Sequence, residues 1–345
     1  SLLANEFCKD EKLEISTIAY SNTNEPLMYK IEDEIHQYVL LDRTVSMKKA
    51  IVSHQIIEKL SNVIRHEGID IIIACGALYF PIAVVAAKRT KIKCICWEHS
   101  NANNGLDHKF QNLCRYIGAR MGDAVVVLTK QDYELYRKKF HSKYLYQIYN
   151  PASEKNGTAK IYNGNNKKII SVGRLCYQKN YPLLIQVAQK VLKDYPEWTW
   201  DIYGEGKDRP EIERMIQENN LEKKIFLKGQ VVDLYKYYPQ YDFLVMTSRY
   251  EGFGMVLVEA MQNALPVVAF DVECGPREII DNEINGFLIP PFDDKKMTEC
   301  IENLCASKEL RKKLSANTVD KTKKFDIKNI SKQWIDIFAS IKENV

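Results

Sequence analysis

No two of the nine cysteines stand as C-x-x-C, and their number is odd. Cys94 and Cys96 would share one face of a strand, with no second pair nearby to complete a metal site. Such usage reads as reduced, mostly buried cytosolic thiols, not as a disulfide framework or a zinc site. Glycine and proline are scarce, 15 and 11 of 345 residues, which excludes collagen-like and low-complexity classes. Charge of one sign is scarce too: 49 basic residues face 45 acidic ones, a net of +4, so a nucleic-acid partner is not expected. The longest uncharged run, residues 71–87, is broken by Gly76 and Pro81 and bounded by Asp70 and Lys88-Arg89. It therefore predicts a buried strand, a turn and a helix near Pro81, not a membrane span. No basic segment precedes an apolar run at the amino terminus, so no signal peptide is expected there; residues 1–7 resemble part of an amphipathic helix.

What is present is an alternation. Short β-rich runs at residues 13–19, 71–75, 93–97, 124–128, 168–172, 199–203, 243–247 and 266–270 are separated by stretches of helical period, including 45–66, 181–195, 210–219 and 255–263. Strand, helix and strand in repetition predict an α/β architecture with doubly wound parallel sheets. Runs such as IIIAC and AVVVL do not alternate with polar residues, as expected of strands covered on both faces. At roughly 150 residues per domain the length predicts two domains. Residues 150–166, rich in Asn and Gly, mark the boundary. The expected division is residues 1–152, residues 153–326 and a terminal helix within 327–345, whose apolar face of Ile330, Trp334, Ile337 and Phe338 packs back toward the first domain.

Three loops carry candidate chemistry. In the first, the predicted strand 243–247 runs through Gly252-Phe253-Gly254 into a helix, the geometry in which ligands meet the carboxyl ends of parallel strands. The glycines let backbone N–H groups approach a ligand, and a helix start favours an anion. Glu259 then interrupts an apolar helix turn and needs a partner, either a ligand hydroxyl pair or a structural arginine. In the second, Gly173, Arg174 and Lys179 follow a strand; the two cations suit a diphosphate, although a solvated surface pair would look the same. The third, Tyr203-Gly204-Glu205-Gly206, opens the helix at Pro210. All three should open on the same edge of one sheet, which gives their joint occurrence more weight than any one.

The combination SVGRL…K, YGEG, the E-x7-E motif from Glu251 to Glu259 and GPREII…NGFLIP resembles the retaining family 4 (group 1) glycosyltransferases of the bacterial surface-polysaccharide type. The resemblance implies two Rossmann-like domains facing across a cleft, the glycosyltransferase-B (GT-B) fold. It implies that Arg174 and Lys179 hold the donor diphosphate and that Glu259 binds the ribose hydroxyls. Glu251, Gly252, Phe253 and Gly254 would face the donor sugar, with Met255, Val256 and Leu257 at the helix start. Gly173 and Gly204 would line the phosphate side, and Gln230 and Val231 would sit beside the base. His99, in Trp97-Glu98-His99-Ser100, occupies the place of the family's active-site histidine.

The activity so implied is retaining transfer of a hexose or N-acetylhexosamine from a UDP-sugar to a glycan or lipid-linked glycan. No metal and no cofactor are expected, since the chain holds no D-x-D in strand context and no His/Cys cluster. A glycoside hydrolase using Glu251 and Glu259 leaves Arg174 and Lys179 without a role. An epimerase or a non-catalytic nucleotide-sugar-binding protein of the same fold stays open. Dinucleotide redox chemistry is disfavoured, because Gly204-x-Gly206 has no third glycine. Residues 44–150 hold 16 Lys/Arg against 8 Asp/Glu, which suits an anionic membrane surface and a cytoplasmic position on its inner face, or else solvated helix faces. Family members begin with a strand and a glycine-rich loop before the first helix; the resemblance implies that roughly 20 residues of this kind are missing from the numbered chain.

Overall fold

The computed structural model describes residues 1–21, 30–41, 53–101, 108–142, 144–153 and 162–343. The chain divides into two compact units, Ser1–Ser153 with Phe325–Val345, and Glu154–Lys324. The predicted boundary segment falls largely on residues 154–161, and the first part of the predicted helix 45–66 on residues 45–52, both outside the described residues.

The first unit holds two parallel sheets. β1 (Ser16–Ser21) pairs with β2 (His36–Leu41), and β3 (Ile71–Cys75), β4 (Lys93–Trp97), β5 (Ala124–Val127) and β6 (Leu145–Gln147) lie side by side in chain order. The 71–87 run resolves into β3, a short turn after Gly76 at φ 101°, and the helix Phe80–Thr90 with proline in its first turn. Among the described residues no helix is long and apolar enough to cross a membrane. Alternation along the strands sorts their side chains onto two faces. Ala74, Cys94, Cys96, Val125 and Val127 meet the helix Phe80–Thr90, the helix His108–Met121 and the π-helical turn Tyr136–Phe140 in one core. Trp97, out of phase with Cys94 and Cys96, instead packs edge-on against Trp334, centroids 4.8 Å apart. That tryptophan sits on the last helix, Ile327–Glu343, whose Phe338 also meets Phe7 of the first helix, Leu2–Phe7.

The second unit is one six-stranded parallel sheet. Its strands are β7 (Lys168–Val172), β8 (Thr199–Tyr203), β9 (Ile225–Gly229), β10 (Phe243–Met246), β11 (Val267–Phe270) and β12 (Gly286–Ile289), in spatial order β12-β11-β10-β7-β8-β9. The order reverses between β7 and β10, which are neighbours in space although their first pairing partners, Ile169 and Phe243, lie 74 positions apart in sequence. Such a switch point leaves a crevice where the two following loops diverge. Trp198, Trp200 and Phe243 pack with Leu184, Val187 and Val191 of the helix Tyr181–Asp194.

Four strands escape the sequence reading. β2, β6, β9 and β12 are short, and β9 (IFLKG) and β2 (HQYVLL) mix polar residues into the run because edge strands bury one face only. β1 also begins later than residue 13, since Leu13 closes a turn by donating to the Asp10 carbonyl at 2.9 Å.

Candidate active site

The loops after β7 and β10 flank the switch point of the second unit and are joined by their own backbones. Arg249 N–H donates to the Gln178 carbonyl at 2.7 Å, the Gln178 amide to the Tyr250 carbonyl at 3.0 Å, and the Thr247 hydroxyl to the Lys179 carbonyl at 3.0 Å. The Arg249 guanidinium also stacks over the Tyr177 ring, 4.4 Å from its centroid. Across this junction Lys179 Nζ donates to Glu251 Oε1 at 2.6 Å, with both side chains largely buried. Arg174 is exposed and makes no ion pair or hydrogen bond among the described residues.

Glycine sets the closeness of the loops. A Cβ on Gly204 would stand 2.1 Å from the Gly173 carbonyl oxygen, and one on Gly206 2.2 Å from that of Leu175, so the loops after β7 and β8 touch main chain to main chain. Gly275, at φ 96°, lies against the Phe253 carbonyl in the same way, with a virtual Cβ 1.9 Å away, which seats the GPREII segment on the EGFG loop. Gly254, at φ 94°, then starts the helix Met255–Gln262. Helix starts leave N–H groups without carbonyl partners, and these point into the crevice side of such a loop.

Glu259 lies on that helix and accepts a hydrogen bond from the Tyr238 hydroxyl at 3.0 Å. Burial pushes its pKa up, against the pull of that hydrogen bond and of the Lys179 charge. Its partner is thus a tyrosine, not the arginine that a purely structural role suggested. Gly173 and Gly204 stand at the tips of β7 and β8, and Gln230 and Val231 directly follow β9, so these positions share the carboxyl edge of the sheet with Glu251, Gly252 and Phe253. Met255 and Val256 occupy the first helical turn and are partly buried. Leu257 has a fully buried side chain, and its N–H donates to the Gly254 carbonyl at 2.9 Å, which braces the helix start.

His99 belongs to the first unit and follows β4. Its ring lies 4.1 Å from that of Trp97, and burial pushes its pKa down to about 4, which leaves a neutral imidazole at neutral pH. The preceding residue is what holds it. Glu98 is buried; its Oε2 accepts from Arg115 Nε at 2.7 Å and from the Tyr136 hydroxyl at 2.8 Å. Its Oε1 accepts from the N–H groups of His99 and Ser100, at 3.1 and 3.0 Å, and from the Ser100 hydroxyl at 2.8 Å. Neither Glu98 and Arg115 nor Tyr238 was evident from motifs. Arg115 did leave a signal, a cation on the Cys114-Ala119 face of an otherwise apolar-packed helix. Among the described residues no group of three or more His, Cys, Asp or Glu is arranged to hold a metal ion.

Two Rossmann-like units, the second with glycine-lined loops, paired cations and a helix-borne glutamate at its switch point, define the GT-B class of glycosyltransferase. Family models match along the chain: "Glycosyltransferase Family 4" over residues 16–154 and "Glycosyl transferases group 1" over residues 154–321. The chain belongs to this family of glycosyltransferases. It is 29% identical over 314 residues to the amylovoran biosynthesis glycosyltransferase AmsD of Erwinia amylovora, covering 87% of each chain. It is 30% identical over 255 residues to a poly(ribitol-phosphate) alpha-N-acetylglucosaminyltransferase of Staphylococcus aureus, covering 70% of this chain and 50% of that one. Among solved structures, S. aureus TarM in complex with fondaparinux, alpha-GlcNAc-glycerol and UDP superposes with a TM-score of 0.75 at 26% identity, over 82% of this chain and 59% of TarM. The chain thus spans less than two thirds of these two S. aureus chains, and most of AmsD.

Proposed function

We propose that this protein transfers a hexose or N-acetylhexosamine from a UDP-sugar to a glycan or lipid-linked glycan, with retention of anomeric configuration. The carrying observation is the convergence of Arg174, Lys179, Glu251 and Glu259 on glycine-tight loops at the switch point of β7 and β10. Arg174 and Lys179 bind the diphosphate of the donor, and Glu259 takes the ribose hydroxyls. The Gly252–Gly254 backbone and Glu251 meet the sugar, backbone at Gln230 and Val231 flanks the base, and His99 serves as the active-site histidine of the first unit.

In the reaction the bond from the sugar's anomeric carbon to the diphosphate oxygen breaks and its electron pair leaves with UDP, while an acceptor hydroxyl oxygen bonds to the same carbon and its proton passes to the departing diphosphate. Departure of UDP is the hard step, and cations with helix-start amides stabilise the charge that develops on it. The two side-chain cations supply what a metal would, so the reading needs neither metal nor cofactor. The UDP in the TarM complex, the poly(ribitol-phosphate) in the S. aureus relative's name and the amylovoran biosynthesis in that of AmsD support a UDP-sugar donor and a polymeric acceptor. The alpha linkage in the S. aureus name supports retention, because UDP-N-acetylglucosamine carries its sugar as the alpha anomer. The acceptor is met in the cytoplasm at the inner face of a membrane.

The test is incubation with UDP-glucose, UDP-galactose and their N-acetyl forms, with and without candidate acceptors. Acceptor-dependent UDP release is expected. Release to water alone, or binding without turnover, would overturn the reading in favour of a hydrolase or a binding protein. Arg174→Ala should lower kcat/KM about 100-fold or more, in line with loss of one charge-stabilising donor. Because Arg174 is exposed and unpaired, its melting temperature should not change.

A further inference from the structure

We propose that Tyr238 is a positioning residue: it fixes the Glu259 carboxylate for the ribose of the donor and so sets the preference for a ribonucleotide over a 2′-deoxyribonucleotide. This deepens the reading above and rests on its assignment of Glu259 to the ribose hydroxyls.

The segment between β9 and β10 carries Tyr235 in the turn Leu234–Lys236 and Tyr238 in the turn Tyr238–Gln240. The two rings brace each other edge-on, with centroids 6.0 Å apart. Both hydroxyls reach the helix Met255–Gln262: Tyr235 donates to Gln262 Oε1 at 2.9 Å and Tyr238 to Glu259 Oε2 at 3.0 Å. Glu259 and Gln262 stand one helical turn apart and so share a face of that helix. The segment is thus fastened to the helix that bears the carboxylate, and it begins at Gln230 and Val231, where the reading above puts the base.

The two bonds differ in what they hold. Gln262 is a buried, neutral amide, and a hydroxyl bond to it braces the helix. Tyr238 is fully buried too, but its acceptor is a half-buried carboxylate that receives no second side-chain hydrogen bond among the described residues. The last torsion of a glutamate is broad and roughly two-fold, so a carboxylate that nothing holds samples many planes. One hydrogen bond at Oε2 selects a plane and leaves Oε1, with the remaining lone pairs, for incoming hydroxyls. The ribose diol supplies two donors and meets a carboxylate it does not have to order first. A 2′-deoxyribose supplies one donor and gains less from the same order. A buried hydroxyl needs an acceptor in any case. Tyr235 is that ordinary case on the same helix, and it serves as the control.

The test is titration calorimetry of UDP and 2′-deoxy-UDP against the full chain and its variants. The native chain should bind UDP about ten-fold more tightly than 2′-deoxy-UDP, the scale of one hydrogen bond to a charged group. Glu259→Ala should abolish that preference. Tyr238→Phe keeps the ring in its core; it should weaken UDP about ten-fold and 2′-deoxy-UDP by less, so that the preference narrows. Tyr235→Phe should keep the native preference. In turnover, Tyr238→Phe should raise KM for the UDP-sugar and leave kcat within about two-fold of native. In the Glu259→Ala background the same substitution should cost nothing further, because it acts through that carboxylate. A native preference in Tyr238→Phe, with none in Glu259→Ala, would overturn the proposal and leave the ribose reading standing. A native preference in Glu259→Ala would overturn both. Equal narrowing by Tyr235→Phe, or loss of both nucleotides alike in Tyr238→Phe, would make the tyrosine a structural brace and overturn the proposal alone.

Discussion

Glu98 and Glu251 each lie just beyond the end of a parallel strand, β4 in one unit and β10 in the other, and each meets a cation at hydrogen-bond distance. The surroundings differ. The Glu98–Arg115 pair is sealed, at 1% and 0% exposure, and both carboxylate oxygens are saturated by five donors from the chain itself. Glu251 and Lys179 keep 7% and 14% exposure, and the carboxylate receives a single hydrogen bond from a flexible side chain. A pair with every lone pair committed has nothing left for a ligand and acts as scaffold. A pair with spare capacity at a sheet switch point can hold its lysine in place and then share it with an arriving phosphate.

The largest effect separates the two pairs by stability. Arg115→Leu leaves a buried carboxylate uncompensated and should cost about 3–5 kcal/mol in urea denaturation. A loss below about 1 kcal/mol would show that Glu98 is not sealed. Lys179→Ala should shift the balance: a stability loss of about 1–3 kcal/mol, smaller than that of Arg115→Leu because the pair is less completely sealed, but donor turnover down about 100-fold. Unchanged turnover would remove the lysine from phosphate binding. Glu251→Gln keeps the volume and frees the lysine; its unfolding free energy should move by under about 1 kcal/mol while kcat/KM falls measurably.

The smallest effect concerns pH. Burial beside Trp97 holds the His99 pKa at about 4, below its value in an unfolded chain. The unfolded state therefore takes up a proton first as pH falls from about 6.5. Stability from this residue is full above that value, declines toward pH 4, and then levels off once both states are protonated. Between pH 7 and 5 the native chain should lose on the order of 1 kcal/mol more than His99→Asn. Equal losses would mean that the ring is solvated.

Central strands such as β5 (AVVV) and β10 (FLVM) were legible because parallel strands buried on both faces are written as uninterrupted apolar runs. Edge strands β2 and β9 mix polar residues into the run, and β12 (GFLI) is only four residues long, so they left no such trace. Most of the candidate site positions follow the end of such a run at a glycine or a lone charge, which is why the sequence could nominate them. A helix start looks uniform along its sequence, whereas packing decides which of its N–H groups is already taken, as at Leu257.

By itself the sequence determined what depends on neighbours along the chain: strand cores and the order of loops that identifies the family. Only tertiary structure decided the partners. Lys179 reaches Glu251 across 72 residues, and Glu98 meets Tyr136 across 38. Tyr238 is the hydroxyl that answers Glu259. A side chain's type states what it can bond. What it does bond depends on which distant strands the sheet order makes neighbours, and on whether water is left between them.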